Sequence, residues 1–410
     1  MTDLLDLRAP KASSWSAPPD GRTWRIGVCW KAPPRRGQMV AELSDARSRK
    51  LSFNLRAPAT ASCVIDGRSP QCAQLQELSQ DLILSRWDGG QNRYVTMFRG
   101  PVGQTQDTIS ETTHTVNVNA ADYRAYLARA VLGGSFNTTV DQDEIVRTVT
   151  LNYQYGAAQA FMDQGLLFQR LNPDGTTRGP SGVQRTRQYT GAEKVGDLVD
   201  NLSNVSGGFE WGVEPGDPGS NLAGYLNVWY PQRGVTKTFV AEYGATMASL
   251  SRTVQSTTFA NWVRNDGQNN ADGTPMFAMA YGDVISNPQL HPEGLWQEGI
   301  SHSDVNQQTT LQQQADGELA LASVLVPSYK AVLAPGAWLN PQTCWLGDTI
   351  GLRVRSGRLA VDTTVRIVGV DIDIADTGAE KVSLTLGRSE LTFSDVMADN
   401  RSRLDALSRR

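Results

Sequence analysis

The feature that most constrains this chain of 410 residues is its closing stretch, VRIVGVDIDIADTGAEKVSLTLG at residues 365–387. Val365 and Ile367 alternate with polar neighbours. The apolar phase then slips by one to Val370, Ile372 and Ile374, and after a turn Val382, Leu384 and Leu386 alternate again. Period-2 alternation broken by turn residues is the pattern of two strands joined as a hairpin. A shift of one residue sends every side chain to the other face of a sheet, so the slip demands one extra residue near Val368 and Gly369. That is a β-bulge, with Gly tolerating the unusual backbone. Bulges raise the local twist and help a sheet to curl, so the hairpin is expected to be the closing pair of a small barrel.

The same alternation opens the chain. Trp24, Ile26, Val28 and Trp30 share one face of a strand, and residues 39–43 and 51–55 repeat the pattern. A short helix with Leu75 and Leu78 is expected over residues 71–79. DLILSRW, the turn signal DGGQ and a return strand through Val95 and Met97 into FRGPVG follow, and a Thr- and Val-rich strand covers 109–118. The character changes at Ala120. Tyr123, Tyr126, Leu127, Ala130 and Val131 fall on one face of a helix. Asp141 with Glu144, and Thr190 with Glu193, have capping-box spacing, the second ahead of a stripe formed by Val195, Leu198, Val199 and Leu202. FEWGV and YLNVWYP read as strands. From Thr236 the β pattern returns, interrupted by a helix with Leu311, Ala315, Leu319 and Ala322 on one face, with Pro327 beyond it.

The expected fold is mainly β with an α+β insertion: two small β-barrel domains flanking a mixed, helix-containing domain. The boundaries follow as an N-terminal arm at 1–21, a first barrel at 22–119, the insertion at 120–235, a second barrel at 236–392 and a C-terminal helical tail at 393–410. The tail carries Val396, Leu404 and Leu407 as its apolar side.

Charge and cysteine usage narrow the function classes. A net charge of −4 argues against non-specific nucleic-acid binding and against anionic membranes. No stretch approaches the ~18 apolar residues of a membrane span, and the N-terminus lacks the apolar core of a signal peptide. Use in the cytosol, or export by another route, is expected. Cys29, Cys63, Cys72 and Cys344 show no metal-ligand spacing and read as small buried hydrophobes in a reducing compartment. Cys63 and Cys72 are close enough in sequence to be neighbours.

No catalytic constellation is present. His114, His291 and His302 lack partners at metal-ligand spacing, and a nucleophile elbow and a P-loop are absent. Asp141, Asp143 and Glu144 cluster, but helix capping accounts for them. Asp371 and Asp373 share one face of the last hairpin and read as a solvated strand face; paired acids for glycoside hydrolysis would have to face each other across a cleft. Asp266 and Asp272 sit in a Gly/Asn loop where calcium is conceivable, though the loop departs from the EF-hand pattern. Ten tryptophans, among them Trp24, Trp30, Trp211, Trp229, Trp262, Trp338 and Trp345, serve either as core anchors or as sugar platforms. Arg401, Arg403, Arg409 and Arg410 could meet an acidic neighbour or form a solvated helix end. No catalytic, cofactor or metal residue is assigned.

Three segments in this order carry a resemblance. DLILSRWDGG…FRGPVG followed by ADYRAYLARAVL is similar to the N-terminal barrel and following helix of siphophage minor tail proteins of the tail-hub, baseplate-hub-like family. KVGDLVDNLSNVSGGFEWGV resembles their middle domain. WLGDTIGLRV…VRIVGVDIDIADTGAEKVSLTLG resembles their closing barrel, with a GD strand before a final E-x-V-x-L-T-L-G strand. The resemblance spans most of residues 22–390. It implies a non-enzymatic virion component at the distal end of the phage tail, assembled in the host cytoplasm. It further implies a homotrimer whose six pseudo-equivalent barrels join a six-fold tail tube or distal tail protein to a three-fold tip or fibre protein. A channel would pass DNA, transiently and without specific binding, and a tape-measure protein; no membrane insertion and no cofactor are implied. The alternative is a carbohydrate-binding or glycan-degrading β protein that recognises the host cell wall.

Overall fold

A computed structural model describes residues 23–89, 91–155, 164–204, 207–254, 256, 259–269, 272–301, 308–323, 327–336 and 344–387. The expected N-terminal arm and C-terminal helix, with Arg401, Arg403, Arg409 and Arg410, lie outside these residues, as do His302 and Trp338. The chain forms two compact units. The larger contains residues 1–203, 207–250 and 330–386; the smaller is built mainly from 251–329.

The larger unit opens with β1 (Trp24–Trp30), β2 (Met39–Glu42), β3 (Arg47–Asn54), β4 (Thr60–Asp66), β5 (Gln80–Asp88), β6 (Arg93–Ile109) and β7 (His114–Ala121). The inserted segment follows as α1 (Tyr123–Leu127), β8 (Phe136–Asp141), α2 (Gln142–Tyr155), β9 (Leu166–Leu171), β10 (Gln184–Tyr189), α3 (Val195–Ser203), β11 (Glu210–Pro215) and β12 (Gly224–Trp229). Then come β13 (Thr236–Glu242) and β14 (Met247–Val254). The smaller unit supplies β15 (Trp262–Asp266), β16 (Phe277–Tyr281), β17 (Gln297–Ser301) and α4 (Gln308–Ala322). The chain returns through β18 (Pro327–Leu333) to β19 (Thr349–Ser356), β20 (Leu359–Ile374) and β21 (Glu380–Leu386).

The two β regions, far apart in sequence, form one sheet. Its path runs β14-β18-β21-β20-β3-β4-β7-β6-β5-β1-β2, with β19 paired to β20 and β13 to β19. Pairing of β3 with β20, Asn54 opposite Gly369 through Arg49 opposite Ile374, fuses them. The mainly β architecture around a helix-bearing insertion is as expected, and the strand order among the described residues includes no closed barrel. Two long strands link successive ladders. β6 pairs with β5 over its first half and with β7 over its second; β20 pairs with β19 and then with β21 and β3. The bulge anticipated near Val368 is there: Ile367 faces Leu386 and Gly369 faces Thr385, which leaves Val368 as the extra residue. β6 has counterparts at Met97, against β5, and at Gly103, against β7.

The insertion has its own core. Tyr123, Leu127, Ile145, Val149, Leu198, Leu202 and Trp211 pack together over the three-stranded sheet β11-β12-β9, while β8 and β10 pair separately. Several local expectations shift. The helix at Tyr123 ends at Leu127, capped by Asp122, and Val131 is exposed rather than on its apolar face. The helix expected over 71–79 is one 3-10 turn, Cys72–Gln74, because Gln80 takes the local backbone groups through Gln76 N–H at 3.0 Å and the Gln74 carbonyl at 2.8 Å. Asp141 does cap α2, accepting from Asp143 N–H at 2.9 Å, but Glu144 turns away to Arg147 and Arg170. Glu193 accepts from Thr190 and Gly191 N–H and so closes a turn just before α3 instead of capping its first turn. In the smaller unit, β16-β15-β17 form a sheet whose inner Ala278 and Ala280 pack on Leu311 and Ala315 of α4.

Candidate functional site

Within the larger unit, arginines hold the inserted segment to the sheet. Arg99 lies on β6 just before the strand bends. Its Nε donates to Asp81 Oδ2 at 2.9 Å and its Nη1 to the Leu222 carbonyl at 2.8 Å. Both side chains of this ion pair are fully buried. Tyr123 Oη donates to the two Asp81 oxygens, each at 2.9 Å. Burial pushes the Tyr123 phenol well above its ordinary range, and the neighbouring Asp81 adds to this, so the group stays a donor. Both Asp81 oxygens are thus hydrogen-bonded, while Arg99 Nη2 is buried without a hydrogen-bond partner, so part of the pair's desolvation cost stays uncompensated.

Arg366 occupies the corresponding place on β20, just before the Val368 bulge. Its Nη1 and Nη2 donate to Glu210 Oε1 and Oε2 at 2.7 and 2.6 Å, a two-point fork. Nη2 also reaches the Arg233 carbonyl at 2.6 Å, and Nε the Gly347 carbonyl at 2.9 Å. Arg124 on α1 is a third tie: it donates to the Leu55 carbonyl at 3.0 Å and to Asp200 at 2.8 Å, and lies 4.3 Å over the Trp211 ring. Asp122, which accepts from Ala59 N–H at 2.9 Å, has its carboxyl pushed up to about 6 by burial.

These ties surround a cleft of about 210 Å³ where the first β region, the insertion and the last β region meet. Phe53, Leu55, Trp211, Trp229 and Trp345 form its apolar walls, with Asp122, Arg124, Glu210 and Arg233 among its charged ones. Each charged group in that set already has a protein partner. These charged groups thus hold the inserted segment to the sheet.

The sequence motifs acquire definite roles here. In the GD strand, Gly347 has φ +95° and Asp348 accepts from Val235 N–H and Trp345 N–H, both at 2.9 Å. A Cβ on the facing Gly234 would lie 2.2 Å from the Gly347 carbonyl carbon, so the two backbones touch. Glu380, which opens the E-x-V-x-L-T-L-G strand, accepts from Trp24 Nε1 at 2.7 Å and from Arg86 Nη2 at 2.5 Å, tying the last hairpin to β1 and β5.

The remaining sequence candidates are accounted for by ordinary structure. Asp143 is buried against Arg178, and Glu144 pairs with Arg170 at 2.7 Å. Asp371 accepts from Ser52 at 2.7 Å, and Asp373 stands 4.0 Å from Lys50 across the strands. Asp266 is held by Arg264 while Asp272 caps its own turn at Thr274, and no metal-binding group of acidic, His or Cys side chains occurs among the described residues. His114 pairs with Asp107, and His291 sits between Asp283 and Glu293. Trp24, Trp211, Trp229 and Trp345 are buried and Trp30 and Trp262 half-buried. All four cysteines are free thiols, three buried and Cys72 half-buried. Sequence reasoning missed Arg99, Arg124 and Arg366. The one available signal was a cation set in an apolar strand, as in MFRGPVG.

No protein-family model matches the sequence, and no curated protein matches it significantly. Solved structures do match. A tail protein from Neisseria meningitidis MC58 superposes with a TM-score of 0.56 at 10% identity, over 91% of this chain and 99% of its own. The 43 kDa tail protein of prophage MuSo2 from Shewanella oneidensis gives 0.56 at 14% identity, over 89% and 98%. A chain of the Francisella PdpA–VgrG complex gives 0.52 at 8% identity, over 91% of this chain and 59% of its own. Over about nine-tenths of the chain, the fold is similar to that of these tail proteins.

Proposed function

We propose that the chain is a structural component of a phage tail, a hub protein at the tail tip. Three copies would form a ring of six pseudo-equivalent β modules that joins a six-fold tail tube to a three-fold tip or fibre and leaves a channel for the genome. The observation that carries this reading is the pair of long strands, β6 and β20. Each bends at a bulge, belongs to two ladders, and grips the inserted segment through an arginine beside the bend. One chain with two such modules would let a closed three-fold assembly present a six-fold face. Near full-length likeness to two tail proteins supports the same assignment.

In this reading residues 22–119 and 236–392 build the ring, 120–235 brace it, and 1–21 and 393–410 flank it. The role is assembly rather than catalysis. Its partners would be a second and third copy, the tube or distal tail protein, the tip protein and the tape-measure protein, and DNA would pass without specific binding. Immunogold labelling of tailed particles tests it: gold at the distal tip is expected, and gold along the tube or at the capsid would contradict it. Native mass spectrometry of the full chain should give three times the chain mass.

A further inference from the structure

Exposed apolar side chains are spread unevenly. Of 13 large hydrophobic residues that stand exposed among the described residues, seven fall within residues 277–296 of the smaller unit. Phe277, Met279 and Tyr281 alternate along β16 and are 40, 40 and 53% exposed, while Ala278 and Ala280 between them are buried. A sheet covered on one face by a helix ordinarily turns polar residues to the other, so the fold itself does not call for this row. The loop after β16 adds Ile285, Leu290, Leu295 and Trp296, each 49–67% exposed.

That loop is held in place by its polar groups. His291 bridges Asp283 and Glu293 at 2.7 and 2.8 Å, Trp296 Nε1 donates to the Glu293 carbonyl at 2.7 Å, and Asn261 Nδ2 donates to the Gly294 carbonyl at 2.8 Å. A surface ordered in advance loses less freedom when something binds to it. The β16 edge of the sheet, by contrast, is closed. Gln308 and Gln312 of α4 donate to the Phe277 and Met279 carbonyls at 2.8 and 3.0 Å, the acceptors an added strand would need. Contact at β16 is therefore through its face.

Charge selects the occupant. Residues 251–329 carry two basic side chains, Arg252 and Arg264, against eight acidic ones, a net charge of −6, while the whole chain stands at −4. Arg264 is itself held by Asp266 at 2.8 Å and lies 4.6 Å over the Phe277 ring. Two copies meeting through this patch would bring like charges together, and an anionic bilayer would be repelled. We infer that the outer face of β16 and the loop after it form a docking surface for a different protein, one that presents an aliphatic or aromatic anchor flanked by lysine or arginine. This holds whether or not the chain sits in a tail.

The test uses the full chain and three short synthetic helices: an amphipathic Leu/Lys peptide, a Leu/Glu peptide of the same pattern, and a Ser/Lys peptide of the same charge. Fluorescence anisotropy should show the Leu/Lys peptide bound about tenfold or more tighter than either control, and weakened by salt. M279S/Y281S should lose that binding with the thermal midpoint unchanged, and so should the loop variant I285S/L290S, which reads the same surface if the first variant unfolds. The exposed-site control I109S should bind like the parent chain. Equal affinity for the Leu/Lys and Ser/Lys peptides, or full binding by both patch variants, would overturn the inference. So would self-association abolished by M279S/Y281S, or capture by phosphatidylserine vesicles without peptide binding.

Discussion

β6 and β20 meet the same requirement with different chemistry. Both run through two ladders and bend at a bulge, and both place an arginine beside the bend that donates to a carbonyl of the inserted segment, Leu222 for Arg99 and Arg233 for Arg366. At β6 the counter-ion, Asp81, comes from the neighbouring strand β5 and the pair is wholly buried. At β20 the counter-ion, Glu210, belongs to the insertion itself, and the two side chains remain 18 and 16% exposed. The ion pair of the first joint is thus internal to its β region, with the insertion reaching it through Tyr123 and the Leu222 carbonyl; the second pair is made by the insertion. Burial, more than hydrogen-bond count, should decide what each joint contributes.

Replacing the cations tests this most strongly. Arg99→Met leaves Asp81 buried without a counter-charge and should cost about 3–5 kcal/mol. Arg366→Met leaves Glu210 within reach of water and still bonded to Arg233 N–H, and should cost about 1–3 kcal/mol. Urea unfolding of the two variants compares them, and equal losses would erase the distinction. Glycines at the bends give a second contrast. A Cβ at Gly100 would lie 2.1 Å from the Ala121 carbonyl oxygen, where backbone meets backbone, whereas at Gly369 it meets the Thr385 side chain at 3.2 Å. Gly100→Ala should therefore cost about 1–3 kcal/mol, and Gly369→Ala under about 1 kcal/mol, by the same urea assay.

The difference between the joints also explains what could be read from sequence. The Val368 bulge was legible because alternation flips phase across it, from Ile367 to Val370. The bulges at Met97 and Gly103 were not: β5 and the first half of β6 are largely buried on both faces, and the half of β6 from Gly103 onward is polar and largely exposed, so neither shows an apolar alternation to interrupt. Fusion of β3 with β20 was hidden for another reason. Pairing of strands more than 300 residues apart depends on long-range register, which local pattern does not encode. The arginine ties were equally hidden, since an ion pair between Arg366 and Glu210 leaves no trace in the spacing of either residue. Asp141 as a cap and the α4 stripe of Leu311 and Ala315 could be read because both are local signals.

pH sharpens the contrast between buried and exposed acids at the two ends of the inserted helices. Backbone N–H groups of Thr190 and Gly191 hold the Glu193 carboxyl down to about 2. Its contribution to stability is present above the ordinary glutamate range and lost as pH falls through about 2. Burial raises Asp122 from 3.8 to about 6. Its sign is opposite: the contribution is present below about pH 3.8 and lost as pH rises through about 6. In thermal melts from pH 2 to 7, Glu193→Gln should flatten the acid limb and Asp122→Asn the limb between about 4 and 6.

Thiol labelling gives the smallest and most local readout. Burial pushes Cys29, Cys63 and Cys344 up to about 12, while Cys72 is half-buried. Iodoacetamide should modify Cys72 first and the other three only on unfolding. Cys29 lies beside the Arg99–Asp81 pair and Cys344 near Asp348. Arg99→Met should accordingly bring Cys29 labelling forward and Arg366→Met that of Cys344; the reverse order would mean that the joints are not separate.

The central claim, that two bent-strand modules in one chain build a three-fold hub, is tested most directly by counting. Quantitative peptide mass spectrometry on purified tailed particles, normalised to the tube protein, should give about three copies per particle, as a closed three-fold ring requires. Absence from the particle, or a copy number in the range of the tube protein itself, would contradict the account.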